Sequence, residues 1–229
     1  MQTILVIFSA DAEWQAAKNY YPDQPLKNDP YGEFFETSDT NRRIIYFQGG
    51  WGKIAAASST QYGIQRWKPD LLINIGTCGG FEGRIQTGQT LLVDRTLVYD
   101  IVEQMGDPDQ ALQFYSVNLD LNWLKEPYPQ PVLRGLILSA DRDILPQDIP
   151  WLIERYEGVA ADWESGAIAW VCQRNAIRCL ILRGVSDLVS TEGGEAYNGL
   201  SWFQQSSQQV VSGILRHLKG WVDCADLNQ

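Results

Sequence analysis

Apolar residues along this chain fall into short blocks with two rhythms. Thr3 to Phe8 is a run of branched side chains that stops at Ser9, which predicts a first strand. A short helix starting near Ala10 then carries Glu13 in its first turn, directly at that strand's C-terminal end. Tyr21 to Gly32, rich in Pro, Asp and Asn, reads as a loop. Two strands, GEFFETS and RRIIYFQ, flank the turn SDTN. Gly49-Gly50-Trp51-Gly52 breaks the pattern, and the Ala-rich stretch Lys53 to Trp67 predicts a close-packed helix that Lys68-Pro69-Asp70 stops. DLLINIGTCGG follows as a continuous apolar strand running into a glycine turn. Strands buried on both faces look like this.

The second half repeats that grammar. Strands are predicted at Gly88 to Asp94, Val132 to Ser139, Gly158 to Asp162 and Arg178 to Val185. Helices are predicted at Pro150 to Tyr156, Glu164 to Arg174 and Trp202 to Leu218, the last with Phe203, Val210, Ile214 and Leu218 at helical spacing. Tyr99 to Tyr128 is long, polar and irregular; its length favours an active-site or interface loop over a plain connection. With no repeat and no linker, residues 1–229 read as a single α/β domain. Its expected form is a three-layer α/β/α sandwich around a mixed, largely parallel sheet.

Composition then removes whole classes of function. Acidic residues outnumber Lys plus Arg by 28 to 18, a formal net charge of -10, and no stretch is strongly basic, so no nucleic-acid partner is expected. The longest apolar runs are far short of a membrane span, so no membrane partner is expected. MQTILVIFSADAEW lacks the basic head and cleavage site of a signal peptide, and a cytoplasmic location is the expectation. Cys78, Cys172, Cys179 and Cys224 are widely spaced and suggest neither a zinc site nor a redox pair. His217 is the one histidine, so chemistry is expected to run on carboxylates.

Three acids fall beyond predicted strand ends, where such a fold builds its sites: Glu13, Glu164 and Asp187. Each alone has a bland explanation. Glu13 and Glu164 suit helix first turns, and Asp187 suits a turn. Three together suggest acid/base and electrostatic catalysis. The glycine clusters GGWG and IGTCGG resemble anion-cradling loops but match neither a dinucleotide fingerprint nor a P-loop. Tight turns explain them as well as a ligand does.

Taken in order, the stretches ILVIFSADAEW, QGGWGKIAAASS, KPDLLINIGTCGG, LILSADRDI, ADWESGAIAWVC and LRGVSDLVS resemble the nucleoside phosphorylase and nucleosidase superfamily, in particular its 5′-methylthioadenosine/S-adenosylhomocysteine nucleosidase branch. The resemblance implies that fold, a purine nucleoside substrate, and N-glycosidic hydrolysis without cofactor or metal. By the same resemblance Glu13 activates the attacking water and Asp187 protonates the leaving base at N7. Glu164 binds the ribose hydroxyls, Thr77 lies beside ribose and nucleophile, and Trp163 packs on the sugar where the family has methionine. Ser186 helps hold Asp187, while Gly79, Asp143 and Ile144 complete the expected substrate-binding set.

Phosphate-using relatives carry arginines after the first strand and before the glycine turn. Here those positions read SADAEWQ and Asn74, so an acidic, arginine-free pocket and hydrolysis are expected. A phosphate-dependent phosphorylase is the alternative enzyme, and a nucleoside-binding protein without turnover is the alternative outside catalysis. The family's adenine-stacking aromatic is replaced by Asp143, with Arg142 beside it, which implies either a different base or another aromatic, Trp51 or Trp151, in its place. The resemblance also implies a homodimer, with the Tyr99–Tyr128 segment near the interface.

Overall fold

The first half of the chain runs β1 (Gln2–Phe8), α1 (Asp11–Tyr20), β2 (Lys27–Asn28), β3 (Glu33–Ser38), β4 (Arg42–Gln48), α2 (Lys53–Trp67), β5 (Leu71–Phe81) and β6 (Thr90–Val98). It continues through α3 (Pro108–Phe114), β7 (Ser116–Asn118), β8 (Leu133–Ser139), α4 (Ile149–Tyr156), β9 (Ala160–Asp162) and α5 (Ser165–Arg174). The last elements are β10 (Arg178–Ser190), β11 (Gly193–Gly194), α6 (Leu200–Arg216) and α7 (Leu218–Cys224). These come from a computed structural model that describes residues 1–194 and 199–227.

Strand β1 shows how the layers form. Successive side chains of a strand point to opposite faces. Leu5 and Ile7 therefore join the apolar cluster that Ala56, Ile64 and Trp67 of α2 and Ile168 and Cys172 of α5 complete. Ile4, Val6 and Phe8 join a second cluster with Trp14 and Ala17 of α1, Val211 and Ile214 of α6 and Trp221 of α7. In β10 the same split sends Cys179 and Ile181 one way and Leu180 and Leu182 the other. Helices thus cover both faces of the sheet, as the uninterrupted apolar strands require. A third cluster, with Phe81, Leu138, Ile144 and Leu152, packs α4 against one end.

The described strands form one mixed sheet in the order β11-β10-β6-β8-β9-β5-β1-β4-β3-β2. β1 is parallel to β4 and β5, β5 to β10, and β8 to β6 and β9, whereas β6 meets β10 antiparallel. β10 also pairs with β5, so β5, β9, β8, β6 and β10 close into a ring. Eleven register pairs from Arg178↔Leu71 to Val189↔Phe81 surround a bulge between Val185 and Asp187.

Several boundaries differ from the sequence expectations. β10 continues past Val185 to Ser190, and β6 runs on to Val98, because both find partners that a local apolar window does not reveal. The Tyr21–Gly32 stretch contains the two-residue β2, paired with β3. The expected closing helix is α6, and a second helix, α7, follows it after His217, whose amide donates to the Ile214 carbonyl. Within Tyr99–Tyr128, α3 begins at Pro108 after Asp107, whose carboxylate accepts the Asp109 and Gln110 amides as a helix cap. No helix of the described residues is long and apolar enough to cross a membrane.

Candidate active site

Glu13 lies in the first turn of α1, just beyond the end of β1, and is almost wholly buried. Its Oε2 accepts the amides of Ser9 and Ala10, each at 3.1 Å, closing the N-terminal turn as a capping glutamate does. Its Oε1 accepts the Thr77 amide at 2.6 Å and the Thr77 hydroxyl at 3.0 Å. One carboxylate therefore ties α1 to the middle of β5. The helix-dipole role and a place in the site coexist.

Behind it stands a side chain that the motifs had not singled out. Arg183 of β10 is fully buried and sits among three carboxylates: Asp162 at 3.0 Å, Glu13 at 3.5 Å and Glu164 at 3.8 Å. It also donates to Asn74 Oδ1 at 2.7 Å, Ser165 Oγ at 2.9 Å and the Thr77 carbonyl at 3.4 Å. Burial alone would lower its pKa, but Asp162, Glu13 and Glu164 outweigh burial and raise it. The expectation of an arginine-free pocket is corrected here. An arginine stands against Asn74 itself, supplied by a strand 109 residues away in sequence. Arg142 lines the cavity itself, whereas Arg183 lies behind its wall. The local signal in the sequence was a charged residue inside the apolar run RCLILRGV.

Glu164 precedes α5 and receives the Gly52 amide on Oε1 at 3.0 Å. Burial pushes its carboxyl up to about 8, with Asp162 and Glu13 adding to the rise and Arg183 and the Gly52 amide opposing it. The glycine cluster thus does more than turn the chain. Gly52 adopts φ +84°, a left-handed value that other residues resist, and this presents its amide to Glu164.

Asp187 follows the bulge in β10, a device that re-aims a side chain at a sheet end. The Ser186 hydroxyl donates to Asp187 Oδ1 at 2.6 Å. Across β5, Gly79 opens a slot. A Cβ there would lie 2.9 Å from Ile144 Cδ1, 3.3 Å from Val189 Cγ2 and 3.9 Å from Asp187 Oδ2. Two apolar side chains and an acid thus converge on bare backbone, a shape that suits a flat group with a proton acceptor on its edge.

The mouth is built from loops. Trp51 and Trp163 approach with ring centroids 5.2 Å apart, and Trp51 is 61% exposed. The Lys53 amide donates to Asp141 Oδ1 at 2.7 Å, and its ammonium pairs with Asp100, so the glycine loop is pinned to the loop after β8. In that loop Arg142 pairs with Asp148, while Asp143 is exposed. Of the two tryptophans considered as stacking partners, Trp51 lines the cavity; Trp151 instead packs against Tyr99 and Tyr156.

One cavity of about 740 Å³ opens beyond the C-terminal ends of β1, β5, β9 and β10. Its wall includes Glu13, Thr77, Gly79, Glu164 and Asp187, and also Asp143, Ile144, Trp163 and Ser186. The nine residues expected to catalyse or to bind substrate therefore line the same cavity. Phe203 and Gln204 of α6 and Asp162 line it as well, and these the motifs did not mark. Among the described residues, no group of three or more His, Cys, Asp or Glu side chains is arranged to hold a metal ion.

Comparison with known proteins extends this picture. The chain is 27% identical over 199 residues to a 5′-methylthioadenosine/S-adenosylhomocysteine nucleosidase of Tolumonas auensis, covering 81% of this chain and 86% of that protein. The fold matches a Helicobacter pylori 5′-methylthioadenosine/S-adenosylhomocysteine nucleosidase bound to butyl-thio-DADMe-Immucillin-A, with a TM-score of 0.79 at 18% identity over 97% of this chain and 98% of that one. It matches a futalosine hydrolase of the same species equally well, with a TM-score of 0.79 at 19% identity over 97% of both chains. The family model described as the phosphorylase superfamily matches residues 3–219, nearly the whole domain with every acid discussed above. The chain belongs to the phosphorylase superfamily.

Proposed function

We propose that this protein hydrolyses the N-glycosidic bond of a purine nucleoside, releasing the free base and a ribosyl product. One observation carries the choice of water over phosphate. Arg183 is the cation nearest the Glu13 end, and Asp162, Glu13 and Glu164 already surround it. An incoming phosphate would meet carboxylates with no unengaged guanidinium to pair with, and an unpaired buried anion is costly.

In this reading Glu13 takes a proton from the attacking water, and Asp187, held by Ser186, protonates the leaving base at N7. Glu164 binds the ribose hydroxyls and offers negative charge to the sugar cation as the C–N bond lengthens. Thr77 keeps Glu13 oriented, Trp163 packs on the sugar, and the Gly79–Ile144 slot takes the base beside Asp143. No cofactor or metal enters the scheme. Two of the three relatives named above are 5′-methylthioadenosine/S-adenosylhomocysteine nucleosidases, and nucleosides of that kind are the first substrates to test. The protein works as a homodimer in this scheme. Exposed Val102, Met105 and Phe114 in the Tyr99–Tyr128 segment support an interface there.

The test is a panel of purine nucleosides, with and without inorganic phosphate, assayed for free base and for ribose or ribose phosphate. Base and ribose released without phosphate are expected. Strict phosphate dependence would establish a phosphorylase instead. Tight binding with no product over long incubation would establish a nucleoside-binding protein, a reading that the Asp143 replacement favours.

A further inference from the structure

We infer that Asp162 is a positioning residue for the hydrolysis proposed above: from β9 it holds Arg183 in the one orientation that serves Glu13 and Glu164 together. Its side chain is 2% exposed, and every donor around it is accounted for. Oδ1 accepts the Ser139 hydroxyl at 2.6 Å; Oδ2 accepts the Ser165 hydroxyl, and both oxygens lie 3.2 Å from the Ser165 amide. Arg183 Nε approaches Asp162 Oδ2 at 3.0 Å and also donates to Ser165 Oγ.

A guanidinium held along its Nε edge has only its two terminal nitrogens left to aim. Here Nη1 faces the Thr77 carbonyl and Glu13, and Nη2 faces Asn74 and Glu164. Asp162 and its two serines form the clasp on the far side of that fork. Asp162 reaches the cavity wall, but Ser139 and Ser165 engage both of its oxygens, so its influence passes through Arg183.

The clasp has an electrostatic consequence. Glu164 is faced by Asp162 from β9, Arg183 from β10 and Glu13 from α1, with the Gly52 amide on its outer oxygen and Asp187 across the cavity. Three carboxylates share one guanidinium, so the group is short of positive charge, and the Asp162 charge adds to the rise of the Glu164 carboxyl. If Glu164 must be ionised to favour the sugar cation, kcat/KM rises with pH as Glu164 loses its proton, and Asp162 helps set where that rise occurs.

Asp162→Asn tests this by kinetics against pH on whichever nucleoside the wild type cleaves. The expected result is a loss in kcat of about tenfold or more with KM little changed. The rising limb of kcat/KM should also move to lower pH by about one unit, because one negative neighbour of Glu164 has gone. Asp162→Glu, which keeps the charge, should leave the limb in place. A limb that does not move in Asp162→Asn, or a kcat within about twofold of wild type, overturns the role. Should Asp162→Asn not fold, Ser165→Ala removes the hydroxyl bonded to both Asp162 and Arg183 while every charge stays; lower kcat at unchanged KM is expected, and unchanged kcat overturns the role. A wild type that releases no base removes the hydrolase reading, and this one with it. A working wild type whose profile ignores Asp162 overturns the Asp162 role alone.

Discussion

Thr77 grips Glu13 twice: its amide at 2.6 Å and its hydroxyl at 3.0 Å both donate to the same oxygen, Oε1. The amide's hydrogen bond belongs to the backbone of β5 and survives Thr77→Val, whereas the hydroxyl is removed alone. Thr77→Val should therefore lower kcat by roughly tenfold, within the range of one hydrogen bond to a charged group, with the protein still folded. Glu13→Gln, which removes the proposed base, should cost about two to four powers of ten. Steady-state base release for both variants checks the ordering. Equal losses would show that Thr77 does more than orient Glu13.

Asp187→Asn separates proton donation from binding. The amide retains the shape of the acid and the contact with Ser186, so substrate affinity should stay close to wild type. The chemical step should slow by about two to four powers of ten. Single-turnover kinetics beside equilibrium binding would show it, and unchanged turnover would remove Asp187 from the mechanism.

Gly76 lies where the acids and the arginine meet. A Cβ at this position would fall 1.9 Å from Arg183 Nη1 and 2.5 Å from Glu13 Oε1, so even alanine must displace both. Gly76→Ala is expected to destabilise the fold by roughly 1–3 kcal/mol, as overpacking does, and to abolish most activity. Denaturant melts and kinetics on the same preparation check the pair. Full activity in a folded variant would show that the Glu13–Arg183 contact is dispensable.

The Glu164 carboxyl gives stability a definite dependence on pH. In the folded protein it is pushed up to about 8, against an ordinary value of 4.5. The folded state keeps this proton over that interval and the unfolded chain gives it up. The stabilisation is therefore complete below about pH 4.5 and is lost as pH rises through 8. The ligand-free protein should melt several degrees lower at pH 8 than at pH 5, and Glu164→Gln should flatten that slope. Parallel slopes in the two proteins would count against the raised value.

Asp143 bears on the base. Its carboxylate is exposed on the cavity wall next to Ile144, the position proposed to face the base. Asp143→Phe should tighten binding of adenine nucleosides, by about 0.5–1.5 kcal/mol if a ring pair forms. A titration against adenosine- and inosine-type nucleosides would measure it. No change in preference would place the side chain outside the base's reach.

Alternation and glycine breaks made the layers legible, because Leu5 and Ile7 in β1 and their counterparts in β10 obey a period that any buried strand must obey. The acids were legible for a related reason, since strand ends are where this architecture opens. Arg183 was not. Its identity as a hub depends on Asn74, Glu13 and Asp162, which lie in three other segments, and its own stretch reads as core. The extension of β10 was hidden likewise: the bulge at Ser186 interrupts the apolar rhythm while the pairing with β5 carries on.

The ring of β5, β9, β8, β6 and β10 has a further consequence, for assembly. Thr77 stands on β5 and Asp187 on β10, strands whose paired residues lie more than 100 positions apart, with β6, β8 and β9 between them in the chain. Closing so long a loop costs entropy before any pairing repays it, so closure is slow relative to local helices. No fragment that lacks either strand can bring these two residues together. The cavity therefore exists only once the circle of strands is complete, and a chain emerging from the ribosome has none of it until β10 has been made.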